Sequence, residues 1–392
     1  MDFYSYNGKI RHASVNVSRF RGPSGVSEFH FVVRPTEYGA IQIQLEWLLH
    51  AYREALDSFG LDMQTAVLRR FFCSDLSNQV SALEACPFSN PRNAAEPCAV
   101  SWVCQPPFPP AKVALWAYHV SDPEVELDKT QEGASLTFRR ETLVHHWTTG
   151  VTCPTGNSSY EQTRGILEQY NAFLHTRNLS LADNVLRTWF YVQDVDANYQ
   201  GFVAARREFF AERGLTPDTH FIASSGIESL STNTAAKVSM DAHAVSGVKR
   251  EQLRYLAALD HLSPTHIYGV TFERGTSVAY QDRKQVILSG TASVDREGKI
   301  LYPGEVLRQL DRTLENVEAL LEQAGATVKD MCVFIVYVRD PSDRALVYQQ
   351  MRERFGEMPI EVVAARVCRP GWLVEVEGKA IIPAANPELP PF

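Results

Sequence analysis

The chain has 392 residues and a formal net charge of −8, with 45% hydrophobic and 21% charged residues. This length predicts two or three domains in a soluble globular protein, and no apolar run is long enough for a membrane span. The acidic balance argues against a broad nucleic-acid surface, although a pocket with a few local arginines remains compatible with a small anionic substrate.

The first third of the chain predicts a helix, a buried strand and two further strands. They cover about 40–59, 66–72 and the region from about 98 to 120. In the middle third, Ser158 and Glu161 form a capping-box pattern that predicts a helix start. A strand over 186–192 follows, and Asp194 and Asp196 are expected to cap a helix over about 199–213. Two strands, near 221–227 and 235–244, complete this part of the chain.

The last third has the clearest pattern. A β-branched apolar run predicts a strand over 286–292, and apolar residues at helical spacing predict a helix from 305 to 324 with Gly325 as its C-terminal cap. The remaining predicted elements are a buried strand, a helix and two closing strands, at 333–338, 341–355, 361–368 and 373–381.

The same order of elements, β-α-β-α-β-β, recurs three times. Three units of about 130 residues account for the whole length, which is typical of an internal triplication. We therefore predict an α+β fold of three tandem repeats at 1–133, 134–262 and 263–392.

The seven cysteines include no CxxC pair and no zinc-like spacing with histidine. Reduced thiols in a cytoplasmic protein are therefore expected. No Walker loop or GxGxxG motif follows a strand, so the sequence predicts neither a nucleotide cofactor nor a metal.

Two acids mark the last predicted strand. In the segment 373–378 (LVEVEG), Glu375 and Glu377 fall on one face because strand side chains alternate. Acids are depleted from strands and costly to bury. This face is therefore either solvated or chemically active, and the hexapeptide alone leaves both alternatives open.

The third unit resembles the RidA/YjgF family. The matching segments are 287–290 (ILSG), 308–310 (RQL), 314–317 (LENV), 324–325 (AG), 336–340 (VYVRD) and 374–377 (VEVE). Those proteins are trimers with ligand sites between subunits, so the resemblance implies an intramolecular pseudo-trimer with non-equivalent clefts. Family members that deaminate enamines and imines carry an arginine about fifteen residues before the strand glutamate. The corresponding residues here are 358–361 (MPIE), which makes that activity the weaker alternative.

Residues from about 135 to the C-terminus also resemble the chorismatases, which release pyruvate from chorismate with two tandem RidA-like domains. The matching segments are 187–192 (RTWFYV), Phe209 with Arg213, 268–274 (YGVTFER), 288–292 (LSGTA) and 368–378 (CRPGWLVEVEG). The resemblance implies that Glu375 is the acid and that Arg213 and Arg274 bind substrate. Glu377 is the expected like-charged neighbour of Glu375 and, with Gly290 and Cys368, is also expected to contact the substrate.

Two small residues, Gly290 and Cys368, match the family branch that forms 3-hydroxybenzoate. Two substrate-contacting tyrosines of the family align with Arg206 and Ser263, with Tyr199 and Tyr268 as nearby candidates. No cofactor is implied, and a monomer or weak oligomer is expected. The open alternatives are a chorismatase-like lyase, a RidA-type deaminase and a non-catalytic protein that binds a metabolite.

Overall fold

Three six-stranded sheets, each carrying helices, make up the protein, in agreement with the predicted α+β class. A computed structural model describes residues 1–8, 10–90 and 95–392. In every sheet the spatial order of strands, numbered along the repeat, is first, second, third, sixth, fourth, fifth. The three repeats therefore share one topology, as the triplicated pattern predicts.

The first repeat forms one sheet and two helices. Its elements are β1 (Asp2–Ser5), β2 (Ala13–Arg21), β3 (Ser27–Pro35), α1 (Ile41–Asp57), β4 (Ala66–Cys73), α2 (Leu76–Ala85), β5 (Ala99–Val103) and β6 (Val113–Ser121). The second repeat adds one short helix. Its elements are β7 (Asp128–Glu132), β8 (Ser135–Arg140), β9 (Leu143–Thr152), α3 (Ser159–His175), α4 (Leu181–Asn184), β10 (Val185–Val192), α5 (Val195–Glu212), β11 (Ala223–Glu228) and β12 (Val238–Ser246).

The third repeat carries the predicted acid strand at its end. Its elements are β13 (Leu253–Leu256), β14 (Gly275–Ala279), β15 (Arg283–Ala292), α6 (Val306–Gln323), β16 (Met331–Val338), α7 (Arg344–Phe355), β17 (Ile360–Ala364) and β18 (Val374–Pro383).

Each repeat begins with two more strands than the predicted order contains. These strands are short and some are polar. The sequence of β7 is DKTQE, and its side chains are exposed or half-buried. Such a segment lacks the apolar alternation that identifies a strand in a sequence. Because β7 and β13 belong to the sheets that follow them, the sheets divide the chain slightly before the predicted limits at 133/134 and 262/263.

Of the two predicted helix starts in the second repeat, one is confirmed and one is not. The Ser158 hydroxyl accepts a bond from the Glu161 N–H (3.2 Å) and the Glu161 carboxylate accepts one from the Ser158 N–H (3.1 Å), which confirms the capping box. The prediction that Asp194 and Asp196 cap the next helix is wrong. Asp194 makes no side-chain cap bond, and the two carboxylates instead pair with Arg366 (3.3 Å) and Arg339 (2.5 Å) of the third repeat.

The repeats contact one another in a cycle. Strand β5 of the first repeat packs on β9 of the second, β11 of the second packs on β15 of the third, and β16 of the third packs on β2 and β3 of the first. This arrangement fits a pseudo-trimer within one chain.

Three buried ion pairs follow the same cycle. Arg70 pairs with Asp241 (3.0 Å), Arg187 with Glu377 (2.7 Å) and Arg283 with Glu28 (2.9 Å), and each pair joins two different repeats. All six side chains are almost fully buried, so the loss of one partner would leave an uncompensated charge inside the protein. The pairs thereby fix how the repeats sit against one another.

Two expectations concerned membrane spans and cysteines. Among the described residues, no helix combines the length and apolar character that a bilayer crossing requires. All seven cysteines are free thiols.

Candidate active site

A narrow pocket lies between the second and third sheets, where β11 faces β15 and β18. It encloses about 470 Å³ of space free of atoms, part of it open to solvent, and a water-sized sphere can move its centre through about 30 Å³ of this space. Four of the six predicted site residues line it: Arg274, Gly290, Cys368 and Glu375. The structure therefore brings most of the predicted site together.

Glu375 presents an unusual carboxyl group to this pocket. The residue lies on β18 between Ala292 and Tyr337 of the flanking strands and is 5% exposed. Its carboxyl makes no hydrogen bond to any described residue. Burial and, to a lesser extent, the charge of Glu377 raise the pKa of Glu375 to about 8, against the opposing charges of Arg187 and Arg274. Glu375 is therefore mostly protonated at neutral pH and can act as an acid.

Glu377 was predicted to bind substrate, but its side chain does not line the pocket. Its carboxylate lies behind the pocket wall, where it accepts bonds from Arg187 (2.7 Å), Trp189 Nε1 (2.8 Å) and the Ser225 hydroxyl. These contacts leave it turned away from the pocket. Side-chain alternation puts both acids on one face of β18. On that face, Glu375 faces the pocket and Glu377 faces the protein interior. Glu377 therefore acts on Glu375 through its charge.

Gly290 makes room for the acid. A Cβ atom at this position would lie 1.8 Å from Glu375 Oε1 and 3.1 Å from Ser225 Oγ. The Gly290 N–H also donates to Ser225 Oγ (2.8 Å), which links the glycine to the group that holds Glu377. Any larger residue at this position therefore forces the Glu375 carboxyl to move.

Two arginines in the pocket have no acidic partner. Arg274 and Arg206 are 4% and 2% exposed, and neither forms an ion pair with a described carboxylate. Arg274 donates to the Ser263 carbonyl (3.2 Å) and Arg206 weakly to the Ser224 hydroxyl (3.4 Å), while the Nε atoms of both have no partner among the described residues. Burial lowers the pKa of Arg206 to about 10. Buried guanidinium groups without counterions favour an anionic ligand.

Arg213 was predicted to be the second binding arginine, but it does not line the pocket. It follows the last turn of α5, its side chain is 38% exposed, and it lies 3.7 Å from Glu212 and over the ring of Phe209. Arg206 takes the expected place because it lies two turns earlier on the buried face of α5, with Phe202 and Phe209. A charged residue within a buried helical stripe was the sequence signal for Arg206.

The remaining walls of the pocket are aromatic and small. Cys368 lines it as predicted, and burial, with Glu375 nearby, raises the pKa of its thiol to about 12, so the thiol is neutral. Tyr199 and Tyr268 line it as well, whereas Ser263 lies outside, and the Tyr268 hydroxyl has no hydrogen-bond partner among the described residues. Of the two aligned positions, Arg206 lines the pocket and Ser263 does not. The nearby candidates Tyr199 and Tyr268 are the ones in the pocket.

We expect Glu375→Gln to change how stability depends on pH. An ordinary glutamate ionises near pH 4.5, so between about pH 4.5 and 8 the unfolded chain gives up a proton that the folded chain retains. Stability therefore falls across this window in the natural protein, by a few kcal/mol at most, and stays constant above it. Urea unfolding at pH 5 and 8.5 should show the variant gaining stability relative to the natural protein only at pH 8.5. An equal difference at both values would contradict the pKa.

We expect Gly290→Ala to fold but to displace the acid. The atom that its Cβ meets is the end of a flexible side chain, so the backbone need not shift and stability should change by less than about 1.5 kcal/mol. The pH-dependent stability due to Glu375 should shrink, because its carboxyl moves. Urea unfolding of Gly290→Ala and of the double variant Gly290→Ala/Glu375→Gln measures how much Glu375 contributes to the pH dependence of stability. If this contribution equals that in the natural protein, the carboxyl has not moved.

The other two clefts differ from this one. Between the third and first repeats, Arg34 packs against Phe108 and Tyr348, which stack with ring centroids 4.9 Å apart. Glu361 is fully buried there, 4.0 Å from Arg34. This cleft is filled by the chain's own side chains. The cleft between the first and second repeats is open, and its described lining residues include no equivalent of Glu375.

A family model described as "Endoribonuclease L-PSP" matches residues 275–382. A RutC family protein of Pyrococcus abyssi is 33% identical over 96 residues, which are 24% of this chain and 76% of that protein. A RutC family protein of Pyrococcus horikoshii is 31% identical over 97 residues, or 24% of this chain and 77% of that protein. The family model therefore matches within the third repeat.

A solved structure of a chorismatase superposes on most of the chain, with a TM-score of 0.61 and 17% sequence identity. The superposition covers 81% of this chain and 93% of the chorismatase. At this level of identity the likeness concerns the fold.

Proposed function

The chain belongs to the RutC family, a branch of the RidA/YjgF proteins, and on that premise we propose that it is a chorismatase-like lyase. The proposed substrate is chorismate or a close relative, and the proposed products are pyruvate and 3-hydroxybenzoate. The reaction takes place in the pocket between the second and third sheets. The proposed acid is Glu375, and the proposed carboxylate ligands are Arg206 and Arg274.

One observation carries this proposal: two buried guanidinium groups, neither paired with a described carboxylate, line the same pocket as a buried carboxyl whose pKa is raised to about 8. Chorismate has two carboxylates and an enol ether. Each carboxylate can accept two parallel hydrogen bonds from an arginine, which keeps its charge when it is buried. The enol ether needs a proton, and a carboxylic acid that is still protonated at neutral pH can supply it.

The chemistry then follows from the protonation step. Glu375 gives its proton to the methylene carbon of the enol ether, and the electron pair of the double bond forms the new C–H bond. Positive charge develops on the adjacent ether carbon, and the Glu375 carboxylate formed in this step faces that charge. The neighbouring ring hydroxyl adds to this carbon to form a cyclic ketal, and its proton returns to Glu375. The ketal carbon then loses its bond to the original ether oxygen, which stays on the ring as the 3-hydroxyl, while the bond between the ring and the attacking oxygen breaks to form the pyruvate carbonyl. Loss of a ring proton makes the ring aromatic, and no water is needed, since chorismate has the summed composition of 3-hydroxybenzoate and pyruvate.

The small residues of the pocket wall support the aromatic product. In the related enzymes, glycine and cysteine at the positions of Gly290 and Cys368 accompany the 3-hydroxybenzoate-forming branch, and alanine at both accompanies the branch that forms a dihydrodiol. Both residues of the first branch line the pocket here. The proposal extends this correspondence to the present chain.

The pocket must open for this reaction, because its free space is too small for a ten-carbon diacid. Arg274 lines both the pocket and an outer groove that includes Thr216, His220 and Thr265. The groove encloses about 640 Å³ and is the natural route to the pocket. Substrate binding therefore requires the side chains around Tyr268 and Arg274 to move.

A deaminase has less support from the same structure. The arginine that would hold an imino acid is absent, and the buried carboxyl of Glu361 lies in the filled cleft instead. The stacked rings of Phe108 and Tyr348 fill the space around that position, and the buried Glu361 carboxyl would repel an anionic substrate.

Incubation of the purified protein with chorismate tests the proposal. Pyruvate is measured with a coupled dehydrogenase, and the aromatic product is identified by chromatography and mass spectrometry. Equal amounts of pyruvate and 3-hydroxybenzoate are expected. Pyruvate together with a dihydrodiol would support a lyase but contradict the proposed 3-hydroxybenzoate product. Absence of pyruvate across pH 5–8.5 would contradict the proposed function.

A further inference from the structure

The cleft between the first and second repeats holds a cavity much larger than the proposed active site. It contains about 1470 Å³ of space free of atoms, part of it open to solvent. Its walls come from β5, β9, β10 and β12, from the end of α2 and from the loops that flank them. The free space is therefore about three times that of the pocket that contains Glu375.

The strand register makes this cavity the counterpart of the pocket that contains Glu375. Tyr337 pairs with Glu375 across the third sheet, and the corresponding Tyr191 pairs with Ser239 across the second. Two residues further along, Asp241 occupies the position of Glu377. Both registers shift at the same point of their strands, so the correspondence is residue by residue.

The supporting frame behind the wall is retained. Asp241 accepts bonds from Arg70 (3.0 Å), the Ser101 hydroxyl (2.6 Å) and the Gly150 N–H (2.8 Å). Glu377 is held in the same way by Arg187 and Ser225, and Ser225 in turn binds the Gly290 N–H. A buried network of this kind keeps its wall rigid.

The charged groups that face the ligand are lost. Ser239 stands where the other cleft has Glu375, and Ala134 stands where it has Arg274, since Ser135 and Gly275 begin equivalent strands. No Lys or Arg is among the described residues of the lining, which include the acids Glu84 and Asp241. Arg70 compensates the charge of Asp241, so a ligand carboxylate would meet the charge of Glu84, which pairs with no described cation, and find no cation in the described lining.

In place of the charged groups, this cleft presents an aromatic face and free hydroxyl groups. Trp102 lines the cavity at the position of Gly226 in the other cleft, and its ring is fixed by the bond from Nε1 to the Ser89 carbonyl (2.8 Å). The Ser239 hydroxyl makes no hydrogen bond to another described residue, and Thr232 is exposed nearby. A flat apolar surface beside hydroxyl groups suits a ring with one apolar face and hydroxyls at its edge.

We propose that the cleft between the first and second repeats is a second ligand site, which binds a hydroxylated ring compound without negative charge. The site holds its ligand by stacking on Trp102 and by hydrogen bonds to Ser239 and the neighbouring hydroxyls. With serine in place of the acid, it binds without proton transfer.

A charge-matched sugar series tests this site. Glucose, glucosamine and glucuronate share one ring and differ in charge, and binding of each at millimolar concentration is measured by saturation-transfer NMR. Glucose and glucosamine should bind, and glucuronate should bind at least ten-fold more weakly. Equal binding of glucuronate, or binding of none of the three, would overturn the proposal.

Variants assign the binding to this cleft. Trp102→Ala should remove the glucose signal and Trp102→Phe should keep part of it, because Phe retains a flat apolar face. Ala134→Arg should let glucuronate bind, because it restores a cation at the position of Arg274. Glu375→Gln should leave glucose binding unchanged, so failure of the lyase proposal and failure of this one are distinguishable. Glucose binding that survives Trp102→Ala would place the sugar elsewhere and overturn the proposal.

Discussion

Glu375→Gln is expected to lower the rate of pyruvate release from chorismate by about 10²–10⁴-fold, the usual contribution of a general acid. Glutamine keeps the shape of the side chain and cannot give a proton to carbon. Burial and the Glu377 charge hold the pKa of Glu375 at about 8, so the natural enzyme should keep its rate from about pH 5 to 7.5. Its rate should fall above pH 8, as the proton is lost.

Two controls separate a chemical effect from a folding effect. Glu297→Gln removes an exposed carboxyl of the third repeat and should leave the rate within two-fold of the natural value. Glu375→Gln should unfold at the same urea concentration as the natural protein at pH 5, where both are neutral at this position. If Glu375→Gln retained more than a tenth of the rate, Glu375 would not be the acid.

Arg206→Gln is expected to lower kcat/KM for chorismate by about 10- to 150-fold, since a hydrogen bond to a charged group contributes about 1.5–3 kcal/mol. Most of the loss should come from KM, because the substrate carboxylate is present before and after proton transfer. Arg274→Gln should have an effect of similar size. Steady-state kinetics at pH 7 measures both.

Arg213 provides the matched control, because it lies at the end of the helix that carries Arg206, two turns further along, and is partly exposed. Arg213→Gln should change kcat/KM by less than two-fold. A large effect of Arg213→Gln together with a small effect of Arg206→Gln would restore the assignment that the sequence alone suggested and would contradict the geometry of the pocket.

The fold was predictable wherever buried periodicity was strong. The helix α6 and the strands β16 and β18 have continuous apolar faces, and the structure has them within one or two residues of the predicted bounds. The hairpins that begin each repeat could not be found, because strands such as β7 are polar and gain their stability from pairing with a neighbour. The sequence pattern of a single strand does not indicate how much it is stabilised by pairing with another strand.

The site was predictable from position and chemistry only in part. Glu375, Arg274, Gly290 and Cys368 were found because their segments resemble those of characterised proteins. Arg206 was missed because alignment placed a neighbouring arginine in its role. The direction of a side chain from a helix end depends on packing that a sequence does not specify.

The two roles of the acid pair also needed coordinates. Alternation puts Glu375 and Glu377 on one face of β18. Only the positions of Arg187, Trp189 and Ser225 show that Glu377 is held by an ion pair and two further hydrogen bonds, whereas the Glu375 carboxyl makes no hydrogen bond to a described residue. The same applies to the second cleft, whose retained frame and lost charges become visible only when the registers of two sheets are compared.

A crystal structure of Glu375→Gln with chorismate tests the central claim most directly. The account predicts one carboxylate on Arg206, the other on Arg274, and the enol-ether methylene carbon within about 4 Å of the amide group at position 375, close enough for proton transfer in the natural enzyme. Chorismate bound in another cleft, or bound here with its methylene turned away from position 375, would contradict it.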